Sequence, residues 1–179
     1  PDTIDTVLKV ESKIELIAKD IMESKGVMFL GRGNSFPIAL EGALKLKELS
    51  YLHAEGYPAG EMKHGPLALI EDGLPVIVLA PKDKYFEKTI SNMQEVIARG
   101  GKILLITDKH NDVVNENIRF RVEIPFLDNY LTPLTLTVPL QLLAYHVALL
   151  KKCDIDKPRN LAKSVTCLLY TSDAADEHG

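Results

Sequence analysis

The chain has 179 residues, of which 46% are hydrophobic and 26% charged, and its formal net charge is −4. This balance is typical of one globular domain with its own core, and it excludes collagen-like and fully disordered chains. Asp173, Asp176 and Glu177 near the C-terminus account for three of the four net negative charges, so the rest of the chain is nearly neutral and offers no basic face for nucleic acid. We expect no membrane-spanning segment. Because there are only two cysteines and no signal-peptide profile, we expect a cytoplasmic protein.

Helices and strands alternate along the sequence. Continuous apolar runs predict strands that are buried on both faces, whereas alternating charged and apolar residues at 119–124 predict a strand at the sheet edge. The predicted elements, in chain order, are a helix at 4–23, a strand at 27–30, a helix from 35 to about 52, a strand at 75–80, a helix at 84–99, strands at 103–107 and 120–124, and a helix at 134–151.

This order predicts an α/β fold with a doubly wound, mostly parallel sheet flanked by helices. Ligands of such sheets bind outside the carboxyl ends of the strands. That edge is expected to carry Gly31–Ser35 and Pro81–Lys84. The Gly31-Arg32-Gly33 turn is not a complete dinucleotide fingerprint, because Phe36 replaces the third glycine, so a dehydrogenase is disfavoured.

Glu41, Lys45 and Glu48 are spaced i, i+4 and i+7, so they share one face of the predicted helix. Charged groups in apolar surroundings are candidates for proton transfer, and ordinary ion pairs on a solvated face explain the pattern as well. His64 lies in a predicted loop of about twenty residues before the strand at 75–80, a length typical of functional loops. An imidazole there suits proton transfer, although a lone loop histidine is more often structural. His53 and His146 are expected to be packing residues.

Several long runs in the sequence resemble the isomerase part of glucosamine-6-phosphate synthases, the glutamine–fructose-6-phosphate transaminases (isomerizing). Within that part, residues 1–166 resemble the second of two sugar isomerase (SIS) domains. The resemblance implies a flavodoxin-like three-layer sandwich. The runs that carry it are GRG at 31–33, ALEGALKLKE at 39–48, GEMKHGPLALI at 60–70 and PRNLAKSVT at 158–166.

The resemblance implies roles for individual residues. Glu48 matches the glutamate that moves a proton between sugar C1 and C2. His64 matches the ring-opening histidine, which in this family acts in the neighbouring subunit's site. Lys163 matches a C-terminal lysine that contacts open-chain fructose-6-phosphate and can form a Schiff base with it. Lys45 and Ala162 are the implied substrate-binding residues, and supporting roles fall to Arg32, Glu41 and Arg159.

The resemblance also implies a setting. The substrate and product would be fructose-6-phosphate and glucosamine-6-phosphate, at the first step of amino-sugar synthesis toward UDP-N-acetylglucosamine. We expect a homodimer, no cofactor and no metal, and we expect the isolated fragment to be inactive. The first SIS domain and the glutaminase domain of the family are missing from this chain, and its turn at 80–84 has no serine or threonine to hold a phosphate.

The expected division is a second SIS domain at 1–153, an active-site tail at 154–166, and a non-native or disordered tail at 167–179. Two other functions are left open by the residues. One is another SIS-type sugar-phosphate isomerase or deglycase, and the other is a non-catalytic module that senses a sugar phosphate. A sensor needs neither a ring-opening histidine nor a proton-shuttling glutamate.

Overall fold

In a computed structural model of the protein, residues 2–108 and 115–159 are described. They form five helices, five strands and two short 3₁₀ helices. The helices are α1 (Asp2–Leu8), α2 (Glu11–Ile21), α3 (Ser35–Ser50), α4 (Phe86–Ile97) and α5 (Thr132–Leu150). The strands are β1 (Val27–Gly31), β2 (Ala54–Pro58), β3 (Pro75–Ala80), β4 (Lys102–Asp108) and β5 (Ile118–Ile124), and the 3₁₀ helices are Ala59–His64 and Pro66–Leu69.

The five strands form one parallel sheet in the order β2-β1-β3-β4-β5. The predicted doubly wound α/β fold is therefore confirmed, with β5 at one edge as expected. This is the flavodoxin-like strand order, in which successive strands are added to one edge of the sheet up to β2 and to the other edge from β3 onward, so that the strand order reverses between β1 and β3. The carboxyl ends of these two strands flank the crevice where such folds bind ligands.

The sheet lies between two helical layers. Alternate residues of each strand face opposite layers, so Phe29 packs in one core and its neighbour Leu30 in the other. The first core contains apolar side chains of α1, α2, α3 and α5, and the second contains those of α4 and both 3₁₀ helices. This arrangement is the expected three-layer sandwich.

Two predicted elements differ from the structure. The helix expected at 4–23 is broken at Lys9 and Val10, and both α1 and α2 then contact α5. The loop expected before β3 contains strand β2, whose sequence lacks an alternating pattern. It pairs with β1 along its whole length, from Val27 with Ala54 to Gly31 with Pro58. Gly56 permits this packing, since a Cβ there would lie 2.9 Å from Leu40 Cα.

Helix α5 is long and apolar enough to cross a membrane by length and composition alone, although no membrane-spanning segment is expected from the sequence. Half of an 18-residue apolar stretch of this helix is buried inside the fold. The helix packs against α2 and α3, and its buried side chains belong to the same core as theirs. Burial in the core thus accounts for the apolar residues on the inward side of the helix, whereas Leu134 and Leu149 are exposed.

Candidate active site

A charged pair lies on the partly exposed side of α3. Lys45 Nζ donates a hydrogen bond to Glu48 Oε2 at 2.6 Å, and the side chains are 32% and 27% exposed. The helix is fixed beneath the pair by buried residues such as Ala43 and Leu46. The hydrogen bond to Glu48 raises the pKa of Lys45, burial opposes that rise, and the charge of Glu41 adds to it.

The predicted stripe of Glu41, Lys45 and Glu48 therefore exists, and its charges interact. The pair places a carboxylate, held in position by an ammonium group, at a surface that a substrate can reach. Such a carboxylate can accept and return a proton. Both partners are partly solvated, so within this chain the contact also fits an ordinary i, i+3 ion pair.

The start of the C-terminal tail is held beside the end of α3. The backbone N–H of Arg159 donates to Tyr51 Oη at 2.8 Å, and the Arg159 guanidinium carbon lies 4.1 Å from the centre of the Tyr51 ring. Tyr51 follows α3 directly, in the left-handed conformation with φ of 59°. These contacts keep the last described residue close to the end of the helix that carries Glu48. Ala162 and Lys163 lie outside the described residues.

His64 ends the 3₁₀ helix at Ala59–His64. Its Nδ1 lies 2.6 Å from Glu61 Oε2, and the two side chains are 73% and 61% exposed. Because β2 starts beside the start of β1, α3 ends near the amino ends of the strands, whereas His64 follows the carboxyl end of β2. The structure therefore does not bring His64 and Glu48 together within one chain.

Arg32 directly follows β1, so it lies at the same end of the sheet as His64, where the strands finish. Its guanidinium carbon is 5.7 Å from the centre of the Tyr85 ring. A side chain at Gly60 would meet it, since a Cβ there would lie 2.7 Å from Arg32 Nη1. Arg32 thus joins the end of β1 to the start of α4 and to the 3₁₀ helix that carries His64.

A cavity of about 300 Å³ lies at the carboxyl ends of β1 and β3, the edge that the sequence predicted. The Asp83 carboxylate accepts the backbone N–H of Tyr85, just before α4 begins. The negative charge of Asp83 beside the start of α4 repels a phosphate, so the aspartate disfavours phosphate binding at this turn. The residues that line the cavity are Gly33, Asn34, Asp83, Lys84, Tyr85, Asn129 and Tyr130.

The two histidines that were expected to be packing residues differ in burial. The prediction is wrong for His53, whose side chain is 71% exposed because it precedes the edge strand β2. His146 is largely buried, and its Nε2 lies 3.1 Å from Glu11 Oε1.

Glu11, Glu15 and His146 form a group that could hold a metal ion, because one ligand atom of each lies within 4.8 Å of the other two. It is the one group of this kind among the described residues. The expectation that no metal is needed stays a prediction.

Two residues of the site were not found from the sequence. No sequence pattern pointed to Tyr51, because its role depends on a contact with Arg159, which lies 108 residues further along the chain. Glu61 stands three residues before His64 in the run that carried the family resemblance, and the helical spacing of the two residues was a usable signal.

Comparison with known proteins decides the family. The model of the SIS domain family matches residues 20–151. The chain belongs to the SIS domain family. This SIS domain is 56% identical to a glutamine–fructose-6-phosphate aminotransferase (isomerizing) of Bartonella henselae, and 54% identical to that of Agrobacterium fabrum. Each match covers 93% of this chain and 28% of the relative, so the chain spans little more than a quarter of these relatives.

Solved structures agree with this assignment. The SIS domain is similar to the C-terminal domain of glucosamine-fructose-6-phosphate aminotransferase from Francisella tularensis, with a TM-score of 0.84 and 46% identity, over 87% of this chain and 44% of that one. A tagatose-6-phosphate ketose/aldose isomerase of Escherichia coli shares the fold, with a TM-score of 0.71 and 21% identity, over 87% and 45% of the two chains. The predicted resemblance is confirmed.

Proposed function

We propose that this SIS domain supplies the sugar-isomerising groups of a glutamine–fructose-6-phosphate aminotransferase, which converts fructose-6-phosphate to glucosamine-6-phosphate. The observation that carries the proposal is the Lys45–Glu48 pair, at a surface beside the docked start of the tail. The names of relatives at 54–56% identity support it.

Glu48 is the base of the proposed isomerisation. Moving the carbonyl between C1 and C2 requires one group that takes a proton from one carbon and returns it to the other. A carboxylate on a rigid helix suits this task, because its position does not change between the two steps. Lys45 holds the carboxylate in place through the 2.6 Å contact and stays charged, since its pKa is raised.

The tail brings the second group. From Arg159, which contacts Tyr51, four further residues span at most about 14 Å when extended. That reach is enough for Lys163 and Ala162 to come to the surface of α3 near Glu48. A lysine amine there would bind the open-chain sugar, either by hydrogen bonding or as a Schiff base with its carbonyl.

His64 is proposed to act in the site of a neighbouring subunit. Within one chain it is separated from Glu48 by the length of β2, about 16 Å for five residues. Its high exposure also leaves it free to enter another subunit. A homodimer in which each site takes Glu48 from one chain and His64 from the other satisfies both observations.

The remaining parts of the activity would come from outside this chain. The aspartate that lies beside the start of α4 argues against a phosphate there, so the phosphate of the sugar is assigned to the first SIS domain. Ammonia from glutamine is assigned to a glutaminase domain. We place the complete enzyme in the cytoplasm.

The proposal is tested in a chimera in which residues 1–166 replace the matching segment of the Bartonella henselae enzyme. It should form glucosamine-6-phosphate from fructose-6-phosphate and glutamine. Glu48→Gln should lower kcat about 10²- to 10⁴-fold, while Glu87→Gln, on the exposed side of α4, should leave kcat unchanged. Full activity of Glu48→Gln would remove Glu48 from the mechanism.

A chimera that binds fructose-6-phosphate but converts none of it would favour the sensor. Conversion to glucose-6-phosphate without amination would favour another sugar-phosphate isomerase. The shared site is tested by mixing subunits with His64→Ala and subunits with Glu48→Gln. Random pairing should restore about a quarter of the activity, because half of the dimers are mixed and each has one intact site. No recovery would refute a shared site.

A further inference from the structure

The 3₁₀ helix at Ala59–His64 holds a glutamate against the candidate ring-opening histidine. Glu61 Oε2 lies 2.6 Å from His64 Nδ1. The backbone beneath them is firmly held, because Ala59 and Met62 are fully buried and Lys63 Nζ bonds Glu95 of α4 at 3.0 Å. Two exposed side chains therefore stand on a rigid base.

The contact decides which nitrogen of the imidazole carries the proton. An ionised carboxylate only accepts hydrogen bonds, so the nitrogen that faces Glu61 must be the donor. In the neutral ring the proton then sits on Nδ1, and Nε2 keeps its lone pair. This leaves Nε2 ready to accept a proton from a substrate.

We propose that Glu61 is a positioning residue for His64, holding it as the Nδ1–H tautomer and stabilising the imidazolium that forms during ring opening. This inference rests on the role of His64 proposed above. Nε2 takes the proton of the anomeric hydroxyl, the bond from the anomeric carbon to the ring oxygen breaks, and a carbonyl forms. The electron pair of the broken bond goes to the ring oxygen, which takes the proton back from the imidazolium. His64 is neutral at the start and at the end.

The chain provides a matched pair for comparison. His53 and Glu55 also form a surface contact, with Nε2 3.5 Å from Oε1, and both side chains are well exposed. Glu55 lies on β2 and His53 directly precedes it, so both are at or near the end of the strand opposite to His64. If any exposed histidine–glutamate contact had the same effect on catalysis, removal of Glu55 and removal of Glu61 would change kcat by similar factors.

The tautomer is measured in this chain without any activity. Ring ¹⁵N shifts of histidine distinguish the two tautomers, and the His64 signals are assigned by their loss in His64→Gln. At about pH 8, where an ordinary histidine is neutral, the unsubstituted chain should show protonated Nδ1. Glu61→Ala should shift His64 toward the Nε2–H form, whereas Glu55→Ala should leave it unchanged. A His64 that is Nε2–H in the unsubstituted chain, or unaffected by Glu61→Ala, would overturn the proposal.

The catalytic effect is measured in the chimera. Glu61→Ala should lower kcat at least about tenfold with little change in KM, because the residue acts on proton transfer and not on binding. In a His64→Gln background the same substitution should cost almost nothing further, because the two residues act as one unit. Glu55→Ala is the control and should leave kcat unchanged.

The outcomes separate the two proposals. Full activity of His64→Gln would refute the proposed role of His64 itself. An impaired His64→Gln together with a fully active Glu61→Ala would refute only the role of Glu61. Equal losses from Glu61→Ala with and without His64 would also refute it, since the effect would then pass through another group. Unfolding curves of each variant exclude loss of the fold as the cause.

Discussion

The contact between Tyr51 and Arg159 makes a sharp prediction about the tail. Two interactions hold Arg159 to the end of α3: its N–H donates to Tyr51 Oη at 2.8 Å, and its guanidinium lies 4.1 Å from the ring centre. A typical hydrogen bond contributes about 0.5–1.5 kcal/mol, and an exposed cation–π contact about 0.5–1 kcal/mol. Together they stabilise the docked tail by about 1–2.5 kcal/mol.

Substitutions at Tyr51 separate the two contributions. Tyr51→Phe removes only the hydroxyl, and the population of undocked tail should rise about 2- to 13-fold. Tyr51→Ala removes both contacts, and the population should rise about 5- to 70-fold. Neither change should alter the global free energy of unfolding as much as a core substitution does, because Arg159 is exposed and Tyr51 only half-buried.

The assay is limited digestion with trypsin, which cleaves after Arg159. When docking and undocking are fast, cleavage tracks the undocked population. Cleavage should accelerate in the order unsubstituted chain, Tyr51→Phe, Tyr51→Ala, while cleavage after Lys25 serves as the internal reference. Tyr145→Phe, which removes the hydroxyl of another exposed tyrosine, should change nothing. Equal cleavage rates in all variants would show that these contacts do not hold the tail.

Three further substitutions test the packing and the electrostatics. Gly42→Ala should destabilise the chain by about 1–3 kcal/mol in urea unfolding, because a Cβ there would lie 2.7 Å from Leu140 Cδ1. Tyr57→Phe should remove a tyrosinate absorbance step that lies above pH 10.0, because the hydrogen bond to Glu55 raises the pKa of Tyr57. The stabilisation by this bond is fully present below pH 10.0 and is lost as the pH rises through the raised pKa. Leu44→Gln should change the free energy of unfolding of the isolated chain by no more than about 0.5 kcal/mol, since the side chain is 46% exposed. The same substitution should lower the activity of the chimera.

Three of the four strands that the sequence predicted are buried on both faces, and the fourth, β5, was predicted from the alternating pattern of an edge strand. β1, β3 and β4 are continuous apolar runs, because each has a helical layer on either side. β2 has no such run: its residues Ala54–Pro58 are mostly half-buried, and it forms through backbone pairing with β1. A strand held by backbone pairing leaves little trace in a pattern of apolar residues.

The site was predictable where its groups share one local element. Glu41, Lys45 and Glu48 lie on one helix, so their spacing alone placed them on one face. Tyr51 meets Arg159 only after the chain has passed through four strands and two helices, and no local pattern encodes such a contact. The relation of Glu48 to His64 is likewise a property of the sheet, since the two lie at its opposite ends.

The position of Glu48 explains why isomerisation should need more than this chain. With Lys45 and Glu48 about a third exposed, water screens their attraction and competes for the carboxylate. Leu40 and Leu44, which are 45% and 46% exposed on the same helix, extend an apolar surface beside the pair. Covering that surface with the remainder of the enzyme would exclude water from Glu48. The carboxylate would then act in a medium where each charge has a stronger effect on a sugar proton. Since the same closure would bring a neighbouring His64 to the substrate, assembly and catalysis would be coupled through one face of α3.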